Sequence, residues 1–241
     1  MMNKNLSVLL LLVTAVSAGG CAPADHSFED EGAFDPVEPI NRAVYGFNKK
    51  ADFFLLRPAA KTYDNFTGPF EKNLAENFFS NLGEPKNVLN HILQKRGDDA
   101  ARSAARFVFN SVFGIGGLAD IANSMGVKER ETGFGQTIRA YAGDRGAYIV
   151  LPFLGPSSVA DAPGAAADGF LAPHAYLSAD SARAGIAATE AVHIRAGLLD
   201  DEYLLESALD EYSYVRDFAE ELRRRDTPSD VWGEPDNVWG K

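Results

Sequence analysis

Apolar residues recur at three- and four-residue steps along most of this chain, and those steps predict helices. Ile40, Val44, Phe47, Ala51 and Phe54 share one face while Arg42, Lys49 and Lys50 fall elsewhere, which predicts an amphipathic helix from about Pro39 to Leu56. Pro58 is expected to end it. Leu74, Phe78, Phe79 and Leu82 mark a second helix over 73–82, stopped by Gly83 as a C-cap. A third starts at Glu84 and Pro85, with Val88, Leu89, Ile92 and Leu93 as its buried face and Gly97 as its end. Asp98 and Asp99 can cap a fourth, which carries Ala101, Ala104, Ala105, Val108 and Val112. Phe107, Phe109 and Phe113 make that helix apolar nearly all round, so it faces either the core or lipid, and the core is the preferred reading.

Short helices are expected at 118–125 and 134–141, and an Ala- and Gly-rich helix at 178–199. Leu205, Leu209, Tyr212, Val215, Phe218 and Leu222 predict a last one over 205–225, whose terminal arginines Arg223 to Arg225 suit its dipole. Between them, Gly143, Gly146, Pro152, Gly155 and Pro156 flank the apolar stretch Tyr148 to Leu154, which leaves room only for a loop or hairpin with an apolar tip. No alternating strand pattern exceeds a few residues, and the fold class is all-α.

The N-terminus adds a targeting signal. Lys4 precedes an apolar run from Leu6 to Val16 that is too short to span a bilayer, followed by Ser17, Ala18, Gly19, Gly20 and then Cys21, the one cysteine present. Small residues before a lone cysteine resemble a lipobox, in which the thiol is acylated and residues 1–20 are removed. Ala22 in place of Asp favours the outer membrane, and three acyl chains anchor stably where one binds reversibly. With one cysteine, neither an intrachain disulfide nor a multi-thiolate zinc site is available.

Charge divides along the chain. The net −11 looks acidic, yet residues 39–199 hold 17 basic and 15 acidic groups, while residues 22–38 hold six acids and residues 200–241 hold 13 acids against 5 bases. The body is therefore nearly neutral, the acid lies toward the ends, and nothing points to nucleic acid. Residues 21–38 read as a lipidated flexible tether, 39–225 as a helical body, and 226–241 as a disordered tail in which Trp232 and Trp239 could anchor a partner.

Chemistry is sparse. His26, His91, His174 and His193 lack the spacing of a helical zinc site, and Ser157 and Ser158 sit outside any G-x-S-x-G turn. Gly114, Gly116, Gly117 and Ala119 fit G-x-G-x-x-A, but a dinucleotide site needs that turn inside a parallel βαβ unit. A tight crossing between packed helices is the preferred reading. No catalytic residue, metal or cofactor is expected.

Against that background, Asp35, Pro36, Glu38, Asn41 and Arg42, followed by Tyr45, Phe47 and Asn48, resemble the opening D-P-x-E-x-x-N-R-x-x-Y-x-F-N of the VacJ (MlaA) lipoproteins. The resemblance continues in order through Arg57-Pro58, Asn77 to Pro85, Arg106-Phe107, Asn110, Gly114, Gly116-Gly117, Asp120, Phe134 to Thr137, and Leu151 to Ser158. It departs at Gly143 to Ala147, where the family often has a Gly-Pro-Gly-Pro run, and at Ala160, where the family often has Arg.

The resemblance implies a ring-like bundle of amphipathic helices around an amphipathic channel, lying in the inner leaflet of the outer membrane, facing the periplasm and usually beside a trimeric porin. Such a protein removes phospholipid that has strayed into the outer leaflet and passes it to a soluble periplasmic lipid carrier. The segment from Gly143 to Pro156 is the candidate lipid path or gate, comprising Gly143, Arg145, Gly146, Tyr148, Phe153 and Gly155. Glycines give it freedom, and an arginine can meet phosphate. A scaffold that binds porin or other envelope components is the alternative; a lipid-degrading enzyme is disfavoured by the missing nucleophile and metal constellations.

Overall fold

A computed structural model describes residues 33–143 and 146–226. Helix α1 (Glu38–Ala51) runs through a π-turn (Asp52–Leu56) directly into α2 (Arg57–Phe66). Pro58 therefore does not end the first helix. It lies in the first turn of α2, where a missing N–H is least costly. The second and third expected helices are one, α3 (Pro69–Leu93), with Gly83 and Pro85 inside it. Pro85 forfeits one ladder bond, but Asn81, Glu84 and Asn87 on either side are buried and tied to neighbours, so packing carries the helix across.

The turn out of α3 also differs from expectation. Lys95, not Gly97, takes the left-handed position at φ +60°, with Arg96 N–H donating to the His91 carbonyl at 2.9 Å and Lys95 N–H to that of Ile92 at 3.0 Å. That is a Schellman close, and it frees Gly97 to begin α4 (Gly97–Val112). The elements α5 (Ile121–Ser124) and α6 (Phe134–Ala142) follow. Asp120 caps α5, its Oδ1 accepting from Asn123 N–H at 3.0 Å.

Strands β1 (Tyr148–Leu151) and β2 (Gly155–Ser158) form an antiparallel hairpin pairing Tyr148 with Ser158 and Leu151 with Gly155. After it come α7 (Asp161–Leu171), a 3-10 turn (Pro173–Tyr176), α8 (Asp180–Gly197), α9 (Glu202–Glu206) and α10 (Glu211–Asp226). The single helix expected over 205–225 is thus two, broken at 207–210. The all-α class holds, with one small hairpin. Among the described residues no helix is long and apolar enough to cross a membrane.

The faces of these helices are the reverse of a water-soluble protein's. Among the described residues the buried set comprises seven apolar residues and sixteen polar or charged ones. Along α3 and its C-cap the buried positions are Asn81, Glu84, Asn87, Asn90, His91 and Gln94, whereas Leu89 and Ile92, the expected core face, are exposed at 36 % and 58 %. On α4, Asp99, Ser103, Arg106 and Asn110 turn inward; Val108, Val112 and Phe113 turn outward. Phe53, Phe54 and Leu55 are exposed together on the π-turn.

In water each such side chain would forgo about 1.5–3 kcal/mol of transfer free energy; among acyl chains it loses nothing. The core expected for the apolar face of α4 is therefore not where it lies: Val108, Val112 and Phe113 point outward, the lipid-compatible arrangement.

Much of the polar interior is paired within itself, while among the described residues Ser103 Oγ, Gln94 Oε1 and His91 Nδ1 are buried without a hydrogen-bond partner. Arg106, 1 % exposed, is ion-paired to the fully buried Glu84, contacts Asp120 at 3.2 Å, and donates to the Val127 carbonyl at 2.8 Å. Burial by itself would lower the affinity of this guanidinium for its proton, but Glu84 and Asp120 more than reverse that and hold it charged. Gln94 donates to Thr132 at 2.8 Å and Thr137 at 2.9 Å, joining α3 to α6. Glycines set the closest approaches. A Cβ on Gly114 would lie 2.2 Å from the Ala119 carbonyl oxygen, and one on Gly117 would lie 2.6 Å from the Asn81 side chain. The glycine-rich turn is thus a crossing against α3, as its sequence suggested.

Candidate functional site

Two features of the body bear on lipid handling: the hairpin and a cavity. The hairpin is held by two asparagines of α1 spaced two turns apart. Asn41 donates to the Tyr148 carbonyl at 3.0 Å and accepts from Val150 N–H at 2.9 Å. Asn48 donates to the Leu151 carbonyl at 2.9 Å and accepts from Phe153 N–H at 2.8 Å. These side-chain amides occupy the edge of β1 that β2 leaves open, replacing a third strand. The asparagines of the N-terminal motif therefore have a stated physical job.

Ahead of α1, the Phe34 carbonyl accepts from Tyr148 N–H at 2.9 Å, and Asp35 accepts from Asn41 at 2.8 Å and from the Tyr212 hydroxyl. Arg42 lies 4.4 Å over the Tyr212 ring and pairs with Glu38 and with Asp210 of the C-terminal segment, each at 2.6 Å. Tyr148, 1 % exposed, and Tyr212 meet edge to face at 6.2 Å, and burial pushes the phenol of each above its usual range. Tyr45, packed at 5.8 Å against Tyr212, is pushed up to about 12 by burial first and then by Glu211 and Asp210.

The base of the hairpin is therefore rigid and the tip is not covered. Phe153 and Leu154 are 70 % and 73 % exposed, Phe153 has φ +64°, and its ring meets Phe47 at 5.2 Å. Gly143 closes α6 at φ +76° and Gly155 starts β2 at φ +81°, both in the region that favours glycine. A Cβ on Gly146 would lie 3.1 Å from the Ser158 hydroxyl. So Gly143, Gly146, Phe153 and Gly155 gather on the hairpin and its approach, while the Tyr148 ring is part of the core beneath. Arg145 and Cys21 lie outside the described residues.

The cavity, of about 520 Å³, opens between α3, the loop before α6, α7, the 3-10 turn and α8. Its size is mid-range for small-molecule sites, which run roughly 300–1,000 Å³. One part of its wall is apolar, with Phe79, Leu82, Ala172 and Ile194; another carries Ser80, Lys86, Glu129 and Glu131. Ser80 donates to Glu129 at 2.8 Å and Lys86 pairs with Glu131 at 3.5 Å. His193 joins three helices, its Nε2 2.8 Å from Glu76 and its Nδ1 3.1 Å from the Tyr63 hydroxyl.

Among the described residues, none of the hairpin positions named from the sequence lines this cavity. His174 and His193, which sequence spacing left as isolated histidines, both do. The legible signal was Glu76, Ser80, Gly83 and Lys86, a polar and small stripe at helical steps that takes in Phe79 and leaves Phe78 on the far side of the helix.

Polar groups inside, apolar groups outside and a half-polar cavity between helices define the class: a helical protein built to meet lipid. The chain belongs to the MlaA lipoprotein family, whose model matches residues 33–226. It is 33 % identical over 220 residues to the Intermembrane phospholipid transport system lipoprotein MlaA of Escherichia coli, covering 90 % of this chain and 86 % of that one. The protein of the same description from Haemophilus influenzae is 31 % identical, with 89 % and 87 % covered. A solved structure described as "Structural basis for maintenance of bacterial outer membrane lipid asymmetry" superposes with a TM-score of 0.68 at 33 % identity, over 80 % of this chain and 97 % of that one.

Proposed function

We propose that this protein is an outer-membrane lipoprotein, anchored through Cys21 in the periplasm-facing leaflet, that removes mislocalised phospholipid from the outer leaflet and so maintains lipid asymmetry. The cavity bounded by α3, α7 and α8 is the passage, its apolar wall taking acyl chain and its polar wall the headgroup. The hairpin is the movable gate: Gly143 and Gly155 are its hinges, Tyr148 its fixed base, Phe153 its tip, and Arg145 with Gly146 the approach for phosphate. A trimeric porin seats the body in the membrane, and a soluble periplasmic carrier receives the lipid. The observation that carries this reading is the inverted polarity of the helices around a half-polar cavity. A scaffold for porin or other envelope components would need the apolar exterior but not the cavity.

Gly83 offers a direct test, because it lines the cavity and a Cβ there meets nothing within 4 Å. Gly83→Trp fills the passage without forcing the backbone, and replacing a mid-helix glycine does not weaken α3. In cells relying on this variant, phospholipid on the surface, read by phospholipase added to intact cells, should rise to the level of cells without the protein. Wild-type asymmetry with Gly83→Trp folded and membrane-bound would remove this cavity from the lipid path.

A further inference from the structure

We infer that the cavity favours phospholipids bearing a primary ammonium headgroup, of the ethanolamine type, over phospholipids whose headgroup is anionic. The inference rests on the cavity being the lipid path and adds which lipids the path prefers.

The charges on the wall do not balance. Among the described residues Lys86 is the single Lys or Arg lining the cavity, and it is spent on Glu131 at 3.5 Å. Asp168 is spent too, accepting from Phe134 N–H at 2.9 Å and from Asn90 at 3.3 Å. Glu76, Glu129 and Glu190 remain. Among the described residues Glu76 has only the imidazole of His193 as partner, at 2.8 Å. Glu129 has the Ser80 hydroxyl at 2.8 Å, and the nearest guanidinium, Arg106 at 3.6 Å, is already committed to Glu84, Asp120 and the Val127 carbonyl.

The state of Glu129 agrees with this geometry. Burial pushes its carboxyl above the usual carboxylate range, with Glu84 adding repulsion, so a cation brought to it would be welcome. A lipid phosphate carries one negative charge in either kind of lipid. With an ammonium two carbons away, the headgroup offers the wall three N–H donors and a positive charge, and Glu129, Ser80 and Glu190 can take them. A glycerol-type headgroup offers hydroxyls only and leaves the phosphate facing uncompensated carboxylates. Two flanking half-buried apolar side chains, Phe79 and Leu82, keep water from screening that difference fully.

The full-length protein, purified in detergent, is incubated with vesicles holding equal parts of ethanolamine and glycerol phospholipid with identical acyl chains. It is then re-isolated and its bound lipid extracted and counted by headgroup. The wild type should hold the ethanolamine and glycerol lipids in a ratio of about five to one, the scale of a partly screened carboxylate–ammonium pair. In E129Q/E190Q, where a glutamine at 129 still accepts from Ser80, the ratio should fall below about twofold while lipid phosphorus per protein persists. Bound lipid in the vesicle ratio, or enriched in the anionic lipid, overturns the preference and leaves the passage standing. Enrichment that survives in E129Q/E190Q overturns the assignment to these carboxylates. A wild type that holds no phospholipid overturns the passage itself.

Discussion

Arg106→Leu is expected to destabilise the protein by roughly 3–5 kcal/mol, among the largest losses a single side chain can cause here. The guanidinium is 1 % exposed and ties together α3 through Glu84, the cap of α5 through Asp120, and the loop leading to α6 through the Val127 carbonyl. Without it Glu84, which is 0 % exposed, is a buried carboxylate with no counter-charge. The cost is that of the orphan rather than of the pair, which makes a specific pattern. E84L/R106L removes both charges and should recover much of the loss, because Asp120 keeps Asn110 at 3.1 Å and Asn123 N–H at 3.0 Å. Denaturant unfolding of the detergent-solubilised protein followed by circular dichroism checks both. A double variant as unstable as Arg106→Leu would mean that the ion pair supplies stability of its own.

Gly164→Ala should cost about 1–3 kcal/mol and loosen α6 from α7. A Cβ at position 164 would sit 2.3 Å from the amide nitrogen of Gly135, 2.6 Å from its Cα and 2.8 Å from the Phe134 carbonyl carbon. All three are backbone atoms, so relief requires moving a helix rather than turning a side chain. The two helices are also locked by Arg139 with Asp161 and by the Asp168 carboxylate on the first N–H of α6. Gly169, on the same helix with nothing within 4 Å of its Cβ position, is the control. Gly169→Ala should be neutral or stabilising by up to about 1 kcal/mol, since alanine is the better helix former. Thermal unfolding of the two variants side by side should show opposite signs.

Much of the architecture could be read from the chain, and the failures have common causes. Helices at 97–112, 134–142 and 180–197 and the hairpin at 148–158 followed from periodicity and from glycine and proline placement. Pro58 and Pro85 were taken as punctuation, yet one sits where no N–H is missed and the other is bridged by buried neighbours. Lys95 took the left-handed turn that Gly97 was expected to take, because the Schellman bonds to His91 and Ile92 outweigh the strain at φ +60°.

The inverted faces have a different origin. Periodicity separates an apolar stripe from a polar one without saying which medium each meets, so Leu89 and Ile92 read as core while Asn87, Asn90 and Gln94 read as surface. Asn41 and Asn48 stood in the recognised motif without a reason until β1 lay against them. The cavity draws Phe79, Glu129, Asp168 and His193 from segments spread over more than a hundred residues, and only folding brings them to one wall.

The central claim, that phospholipid passes through the interior of this body rather than merely surrounding it, is tested most directly by photo-crosslinking in intact cells. A photoreactive side chain is placed either at Phe79 or Leu82 in the cavity wall, or at Lys61, an exposed position away from it. Phosphate-labelled lipid adducts at both cavity positions and few at Lys61 are predicted. Cavity positions that yield no lipid adduct, while Phe113 on the apolar exterior yields one, would contradict the account: lipid would then bathe the protein without entering it.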